Sequence, residues 1–456
     1  MPLIQDVRSR VSALHDNHKR IATGALLIGV LTMLAKAFVA AREMAIAWRF
    51  GIGPTVDAYQ LALTIVTWLP MMLSGVMAVV LVPRLVQLKQ PSGEHEAFVA
   101  ELNGTVILAG LGITVLTFIA APAAAAFLAS GEPAASALTS TMAAWLAPIA
   151  FLTMGVGYLS ARLQARERFA YSVSEAVPAV TIALLTILPS ALAGPQMLVA
   201  ATIVGFVLQA ILVIALVRWG DTRLGPIRFR HRSPAWRAAY GALLMMGVGQ
   251  LLITASIPID QAFAAHLGEG SVATLGYASR IVGMISGLAA IVLGRALLPV
   301  LASAVAAGSC RLARRQARAW SLLLLLIGAL AAAALWVAAP CLVRLLFQRG
   351  AFSPEASAKV TEALRFGLFQ LPPYFSGIAL VQWFAATDRF RAMAAITAAA
   401  LLTKIALNLV LAPRLGVPGI MLASAGMYGL TAALLALGTL GRERKNDRLP
   451  LTGRAR

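Results

Sequence analysis

The sequence predicts an all-α polytopic membrane protein with about twelve transmembrane helices in two pseudo-symmetric six-helix lobes. Of its 456 residues, 60% are hydrophobic and 12% charged, and the mean hydropathy is +0.82. Soluble domains have roughly 45–50% apolar and 25% charged residues. Apolar runs of about 20 residues, enough to cross a hydrocarbon layer of about 30 Å, recur along the whole chain. This composition excludes an ordinary soluble enzyme.

The apolar windows predict twelve spans, each bounded by charged or turn-forming residues. The first twenty residues are polar, and the apolar run after them is longer than the roughly 7–15 residues of a secretory signal. We therefore expect it to be retained as the first span. The twelve spans are 22–48, 58–83, 104–129, 142–163, 176–193, 197–217, 239–259, 272–303, 320–346, 364–386, 392–412 and 417–440.

The distribution of basic residues predicts the orientation of these spans. With the N-terminus inside, the inward segments hold 26 of the 38 lysines and arginines and the outward loops hold four. Positive charge is retained on the cytoplasmic side, so both termini are predicted to be cytoplasmic. The predicted organisation is an N-terminal lobe (1–217), a basic cytoplasmic connector (218–238), a C-terminal lobe (239–440) and a basic cytoplasmic tail (441–456).

The net charge of +20 does not indicate a nucleic-acid partner. A nucleic-acid-binding protein concentrates its basic residues on a folded polar surface, whereas here they lie mainly between apolar segments. We expect the membrane to be the partner of these loops. A disulfide between Cys310 and Cys341 is excluded because one membrane-spanning helix separates the two thiols.

The two halves repeat a short pattern. Phe50 to Gly53, then Tyr59, then Leu81 to Pro83 recur as Leu267 to Gly270, then Tyr277, then Leu297 to Pro299, at an offset of 216 to 218. An even number of spans in each half makes the repeats parallel, as in transporters that rock two lobes around a central cleft. The alternative is chance recurrence of glycine and proline. Prolines expected to bend or break spans are Pro70, Pro148, Pro178, Pro372 and Pro373.

The chemistry of the chain is expected at its intramembrane charges. The sequence has no metal-ligand cluster, nucleotide-binding loop or nucleophile triad, so we predict no enzyme activity, no metal and no cofactor. Ionisable side chains at membrane depth cost roughly 2.5–3.5 kcal/mol each and are functional candidates. They are Lys36, Arg42, Glu43, Asp57, Arg280 and Lys404.

Four of these candidates are cations and two are acids, so a cleft lined by them would attract an anion. Donors from different helices could hold a phosphate or diphosphate by charge-assisted hydrogen bonds. Lys36 and Glu43 are seven residues apart and share one helix face. The alternative is that Lys36 with Glu43, and Arg42 with Asp57, form internal ion pairs that only hold helices together.

Several motifs resemble the MurJ (MviN) lipid II flippases of the multidrug/oligosaccharidyl-lipid/polysaccharide exporter superfamily. They are Ala41-Arg42-Glu43-Met44 running into Phe50-Gly51-Ile52-Gly53 and Asp57-Ala58-Tyr59, then Tyr277-Ala278-Ser279-Arg280, Leu346-Phe347-Gln348-Arg349-Gly350-Ala351-Phe352, and Asn408 with Pro413 and Gly419. The resemblance implies that Lys36, Arg42 and Arg280 are cleft cations that bind substrate and that Glu43 and Asp57 are cleft acids.

This chain departs from the family pattern at three places. It reads Thr67 to Met71 where the family usually has arginines in helix 2, and Ser279 where the family has an acid. The family also often has two further C-terminal helices, which the twelve predicted spans do not include. The anion site is therefore expected to contain fewer charged residues than the family's.

The resemblance implies a flippase that moves an undecaprenyl-diphosphate-linked glycan across the bacterial cytoplasmic membrane by alternating access. Its partner would be that polyprenyl-diphosphate-linked sugar lipid, and no coupling ion can be assigned. Two alternatives stay open. A drug/cation antiporter of the same superfamily would need unpaired cleft acids, and a transport-inactive scaffold for envelope biosynthesis would act through its basic loops and tail.

Overall fold

The computed structural model describes residues 33–87, 93–129, 133–166, 168, 171–188, 194–219, 225–231, 233, 235–306 and 309–440. The predicted tail and the first part of the first predicted span lie outside these residues. The helices they form are α1 (33–50), α2 (Pro54–Gln87), α3 (Gly93–Leu128), α4 (Pro133–Leu146), α5 (Pro148–Ala165), α6 (Tyr171–Ser174), α7 (Ala176–Ile187), α8 (Pro195–Trp219), α9 (Ala235–Thr254), α10 (Ser256–Ala265), α11 (Ser271–Ala306), α12 (Cys310–Phe347), α13 (Pro354–Leu368), α14 (Leu371–Ala386), α15 (Phe390–Leu415) and α16 (Val417–Gly438).

The helices confirm the predicted fold class. In the described part of the chain, eight helices are long and apolar enough to cross a membrane when α9 and α10 are counted as one, or nine if the bent pair α4–α5 is also one span. The other three predicted spans correspond to α1, α6–α7 and α13–α14. The segment α1 carries four charged residues, and α7, α13 and α14 are 12, 15 and 16 residues long. These three segments fall outside the count because α1 carries charges and the other two are divided into short helices.

Four breaks between consecutive helices lie just before a proline. Pro258 lacks the N–H that would bind the carbonyl oxygen of Thr254, and α9 ends there. The indole N–H of Trp68 donates to that freed oxygen at 3.2 Å, so the break is satisfied by the other half of the molecule. Pro70, expected to bend or break its span, does not break it, because α2 continues through it. The four prolines are Pro148, Pro178, Pro258 and Pro372.

The packing of the two halves is equivalent, helix by helix. We call α1–α8 the N-lobe and α9–α16 the C-lobe. In the N-lobe, α2 packs on α4 and α5, α3 packs on the same pair, α7 packs on α8, and α5 packs on α8. In the C-lobe, α11 packs on α13 and α14, α12 packs on the same pair, α15 packs on α16, and α14 packs on α16. The repeat predicted from glycine and tyrosine positions thus corresponds to a repeated pattern of helix packing.

The outer surface of the bundle is apolar, as lipid contact requires. Ile119, Phe127, Leu330 and Val337 are each at least 70% exposed. The thiols of Cys310 and Cys341 are free, at the start and near the end of α12, as predicted.

The basic connector is attached to the N-lobe. Arg228 donates its backbone N–H to Ala100 at 2.9 Å, and the Asn103 amide donates to the Pro226 carbonyl at 3.0 Å. The buried carboxylate of Glu101 accepts a hydrogen bond of 2.8 Å from the Trp236 indole. Three neighbouring residues of α3, Ala100, Glu101 and Asn103, therefore hold the chain where it passes between the lobes.

Candidate functional site

Arg42 and Arg280 converge on Glu43 at the interface of the two lobes. The Arg42 guanidinium donates to Glu43 Oε1 from Nη2 at 2.6 Å and from Nε at 3.0 Å. The Arg280 Nε lies 2.9 Å from Glu43 Oε2, an ionic contact rather than a well-directed hydrogen bond. We call these three residues the arginine clasp, which joins α1 of the N-lobe to α11 of the C-lobe.

The arginine clasp has one more positive than negative charge and is unevenly buried. The Glu43 side chain is 3% exposed, Arg42 is 15% exposed and Arg280 is 33% exposed. Neighbouring residues on a helix normally point in different directions, so the Arg42–Glu43 contact depends on the length and curvature of the arginine side chain. The buried carboxylate holds both cations, and one third of the Arg280 side chain remains exposed.

Two buried tyrosines, the pair found in the sequence repeat, flank the arginine clasp. Tyr59 shares a hydrogen bond of 2.8 Å with Thr202, and Tyr277 donates to the Gly51 carbonyl at 3.1 Å. Both are at most 2% exposed. The Tyr59 hydroxyl joins α2 to α8, and the Tyr277 hydroxyl joins α11, which carries Arg280, to the turn between α1 and α2.

Asp57 lies apart from the arginines and caps a helix of the opposite lobe. Its carboxylate accepts the backbone N–H of Gly270 at 2.5 Å and that of Ala273 at 2.7 Å. These are unsatisfied donors at the N-terminus of α11, where a carboxylate is favoured. The suggested Arg42–Asp57 ion pair is therefore wrong, because both partners are engaged elsewhere.

Lys36 also lies apart from the arginine clasp. It is exposed and six residues before Arg42, about 9 Å along the helix axis. The carboxylate that it influences electrostatically is Glu175, between α6 and α7. The suggested Lys36–Glu43 pair is not formed, although the two residues share the predicted helix face. Sequence reasoning missed Glu175 because it directly precedes a predicted span and was treated as a loop residue.

Lys404 belongs to a separate cluster inside the C-lobe. Its ammonium group lies 2.6 Å from Asp260 Oδ2 and donates to the Ser256 hydroxyl, and Asn408 donates to Asp260 Oδ1 at 3.1 Å. Asp260 was missed because the predicted span ended one residue before it. With Asp260 and Glu175 added, the candidate set contains four acids and four cations. The surplus of positive charge expected for the whole cleft is therefore present only at the arginine clasp.

The outer end of the cleft, in the predicted topology, is closed by three turns. Ala351 donates its N–H to the Trp48 carbonyl at 2.8 Å, joining the α12–α13 turn to the end of α1. Ile52 covers Gly270 at the start of α11. The Tyr277 ring packs between Phe347 and Phe352, with centroids 4.9 and 5.6 Å away. The Leu-Phe-Gln-Arg-Gly-Ala-Phe motif is this closing turn.

Each lobe contains a cavity lined by both polar and apolar side chains. The N-lobe cavity is about 590 Å³ and has Arg42 on its wall, and the C-lobe cavity is about 360 Å³ and has Lys404 on its wall. Among the described residues, no group of three or more His, Cys, Asp or Glu could hold a metal ion.

The sequence and structure were compared with known proteins. The sequence matches the family model described as lipid II flippase MurJ over residues 46–447. A probable lipid II flippase MurJ of Rhizobium meliloti (strain 1021) is 27% identical over 437 residues, covering 92% of this chain and 80% of the relative.

Two solved structures share the fold. A lipid II flippase MurJ in an inward closed conformation superposes with a TM-score of 0.78 at 16% identity, covering 91% of this chain and 88% of that one. An inward-facing multidrug resistance MATE family transporter of the MOP superfamily has a TM-score of 0.72 at 15% identity, covering 92% and 97%.

Proposed function

The chain belongs to the MurJ family of lipid II flippases, and we propose that it moves an undecaprenyl-diphosphate-linked glycan from the inner to the outer leaflet of the cytoplasmic membrane. It is a multi-pass bacterial membrane protein. Its cargo in this proposal is lipid II or a related lipid-linked sugar of cell-wall synthesis, and both termini lie in the cytoplasm. The process makes and breaks no covalent bond.

The arginine clasp carries the proposal. Two guanidinium groups, from different lobes, lie within 3 Å of one buried carboxylate. A diphosphate presents several anionic oxygens, which suit the planar donor sets of arginines. Arg42 and Arg280 would therefore bind the headgroup by replacing part of their contact with Glu43. Binding in this way would draw both lobes onto the same ligand.

Glu43 and Asp57 act on the cations and on the closure of the cleft in this proposal. Without cargo, Glu43 neutralises one of the two arginine charges and prevents their mutual repulsion. Competition between Glu43 and the diphosphate would then allow the cargo to leave. Asp57 would hold the outer end closed by capping α11, and loss of that cap would accompany opening.

Lys36 would contact the diphosphate earlier than the arginine clasp. It lies about 9 Å from Arg42 along α1, towards the inner end of the helix in the predicted topology. Its exposed ammonium group is accessible where cargo from the inner leaflet would enter. The order of contacts would be Lys36 first, then Arg42 and Arg280.

The membrane potential assists such a carrier. An inside-negative potential is worth about 2.3 kcal/mol per charge per 100 mV. A headgroup with charge near −2 would gain up to about 4.6 kcal/mol on leaving at that potential. The proposed direction of transport is therefore electrically favourable.

The test is leaflet translocation of a fluorescent polyprenyl-diphosphate glycan in proteoliposomes. Arg42→Ala and Arg280→Ala should each lower the rate at least tenfold. Arg344→Ala is the matched control, because this exposed arginine of α12 donates, within the described part of the chain, only to its own helix at Pro340. Wild-type rates in both clasp variants would defeat the cation site, and export of lipophilic cations instead of the lipid would establish the antiporter alternative.

A further inference from the structure

The N-lobe cavity contains polar side chains that the proposed diphosphate site does not use. We call it the N-lobe chamber. Its volume of about 590 Å³ is within the range of small-molecule sites, roughly 300–1,000 Å³, and its walls come from α1, α2, α5, α6, α7 and α8. Arg42 is on the wall, so the chamber adjoins the arginine clasp. Its other polar lining residues include Thr153, Ser160, Gln164, Tyr171, Glu175 and Gln209.

Several of these polar groups have no partner among the residues that the structure describes. The Gln209 side chain is 8% exposed overall and makes no hydrogen bond there, and the buried Thr153 hydroxyl has none either. The same holds for the half-buried Ser160 and Gln164 side chains. The Thr153 hydroxyl is the buried polar atom of this lining without a partner there, and the Gln209, Ser160 and Gln164 side chains line the same cavity, where a bound ligand would supply hydrogen bonds.

The chemistry of the chamber favours a neutral, hydroxyl-rich ligand. Amides and hydroxyls both donate and accept, as sugar hydroxyls and acetamido groups do. Phe206 and the Tyr171 ring supply apolar wall next to them. The only carboxylate in this lining is Glu175, which is exposed and influenced by Lys36. A cation at one side and neutral polar groups at the other match a diphosphate joined to a sugar.

We infer that the N-lobe chamber binds the glycan of the lipid-linked cargo while Arg42 binds its diphosphate. The inference rests on the proposed function and adds a subsite to it. Gln209 and Gln164 are the residues that recognise the sugar. The chamber is thus the part of the protein that distinguishes a glycosylated polyprenyl diphosphate from a sugar-free one.

The experiment measures binding of undecaprenyl diphosphate with and without its disaccharide to the detergent-purified full chain, by native mass spectrometry. The wild type should bind the glycosylated lipid at least tenfold more tightly. Gln209→Leu and Gln164→Leu should each reduce that ratio at least threefold and leave binding of the sugar-free lipid unchanged. Leucine is close to glutamine in size, so the chamber keeps its shape.

A second pair of variants keeps the test independent of lost hydrogen bonds. Ala78→Trp fills the chamber from its α2 wall, and Val79→Trp places the same ring on the lipid-exposed side of the same helix. Only Ala78→Trp should lower the affinity for the glycosylated lipid. If the wild type binds both lipids but neither glutamine variant nor Ala78→Trp changes their ratio, the subsite is refuted alone. If the wild type binds neither lipid, the proposed function itself fails.

Discussion

The carboxylate of Asp57 on α2 accepts the backbone N–H of Gly270 at 2.5 Å, so a residue of the N-lobe caps a helix of the C-lobe. The helix that it caps also carries Arg280, a member of the arginine clasp. Closure of the outer end and the position of a proposed substrate-binding cation therefore depend on one helix terminus. This coupling gives the first prediction.

Asp57→Ala should favour opening of the outer end. Loss of an N-cap costs about 0.5–2 kcal/mol, which changes a two-state population several-fold. In a background without Cys310 and Cys341, a cysteine at Ile52, which covers Gly270, should react several-fold faster with an impermeant maleimide. Asn is as good a cap as Asp, so Asp57→Asn should react at close to the parent rate. Equal rates in the alanine variant and the parent would show that the cap does not stabilise closure.

Glu43→Gln should destabilise the cargo-free protein and be rescued by an anion. The substitution leaves two arginines facing each other without a carboxylate. Removing one partner of a buried pair costs up to about 3–5 kcal/mol, and less here because Arg280 is one-third exposed and stays partly hydrated. The thermal unfolding temperature in detergent should fall, and polyprenyl diphosphate should raise it more in the variant than in the wild type.

The control for this prediction is Glu362→Gln, which removes a carboxylate from the exposed face of α13. It should leave the unfolding temperature within about a degree of the wild type, since exposed charges contribute little. An unchanged unfolding temperature in Glu43→Gln would contradict the view that this carboxylate holds the two arginines together.

The Lys404–Asp260 pair should behave as a coupled buried unit. The Lys404 side chain is 2% exposed, and its ammonium group lies 2.6 Å from Asp260. Asp260→Asn and Lys404→Met should each lower stability by about 3–5 kcal/mol, because each leaves one buried charge without its partner. The double variant Lys404→Met/Asp260→Leu should lose much less than the sum. Additive losses in this double-mutant cycle, followed by chemical unfolding, would rule out direct coupling.

The spans were predictable because hydrocarbon contact demands long apolar runs, and those runs are local in the sequence. The repeat was also predictable, because its glycines and tyrosines recur at matching positions in the two halves of the sequence. Pro258 marks a break that sequence reasoning missed, and the acid just after it, Asp260, was missed with it. A span edge placed one residue too early was enough to hide the partner of Lys404.

The pairings of the candidate site were less accessible from the sequence. Helix periodicity placed Lys36 and Glu43 on one face, yet Glu43 contacts Arg42, its immediate neighbour, and Arg280, 237 residues away. The first contact depends on side-chain conformation and the second on how the lobes pack. Neither is encoded in the spacing of residues along one helix, whereas Arg42, Glu43 and Arg280 were among the six candidates selected for their cost at membrane depth.

Gly51→Ala should open the outer end through backbone geometry alone. Gly51 has a φ of +62°, a left-handed conformation that costs an alanine about 1–2 kcal/mol, and an added Cβ would lie 2.5 Å from the Ala351 carbonyl oxygen. The α1–α2 turn would have to move away from the α12–α13 turn. Ala134 and Ala358 are exposed residues near the outer ends of α4 and α13. The distance between spin labels at these two positions, measured by pulsed electron paramagnetic resonance, should increase. Gly53→Ala is the matched control, because a Cβ there meets nothing within 4 Å. The same distance distribution in both variants would mean that the Gly51–Ala351 contact does not keep the lobes closed.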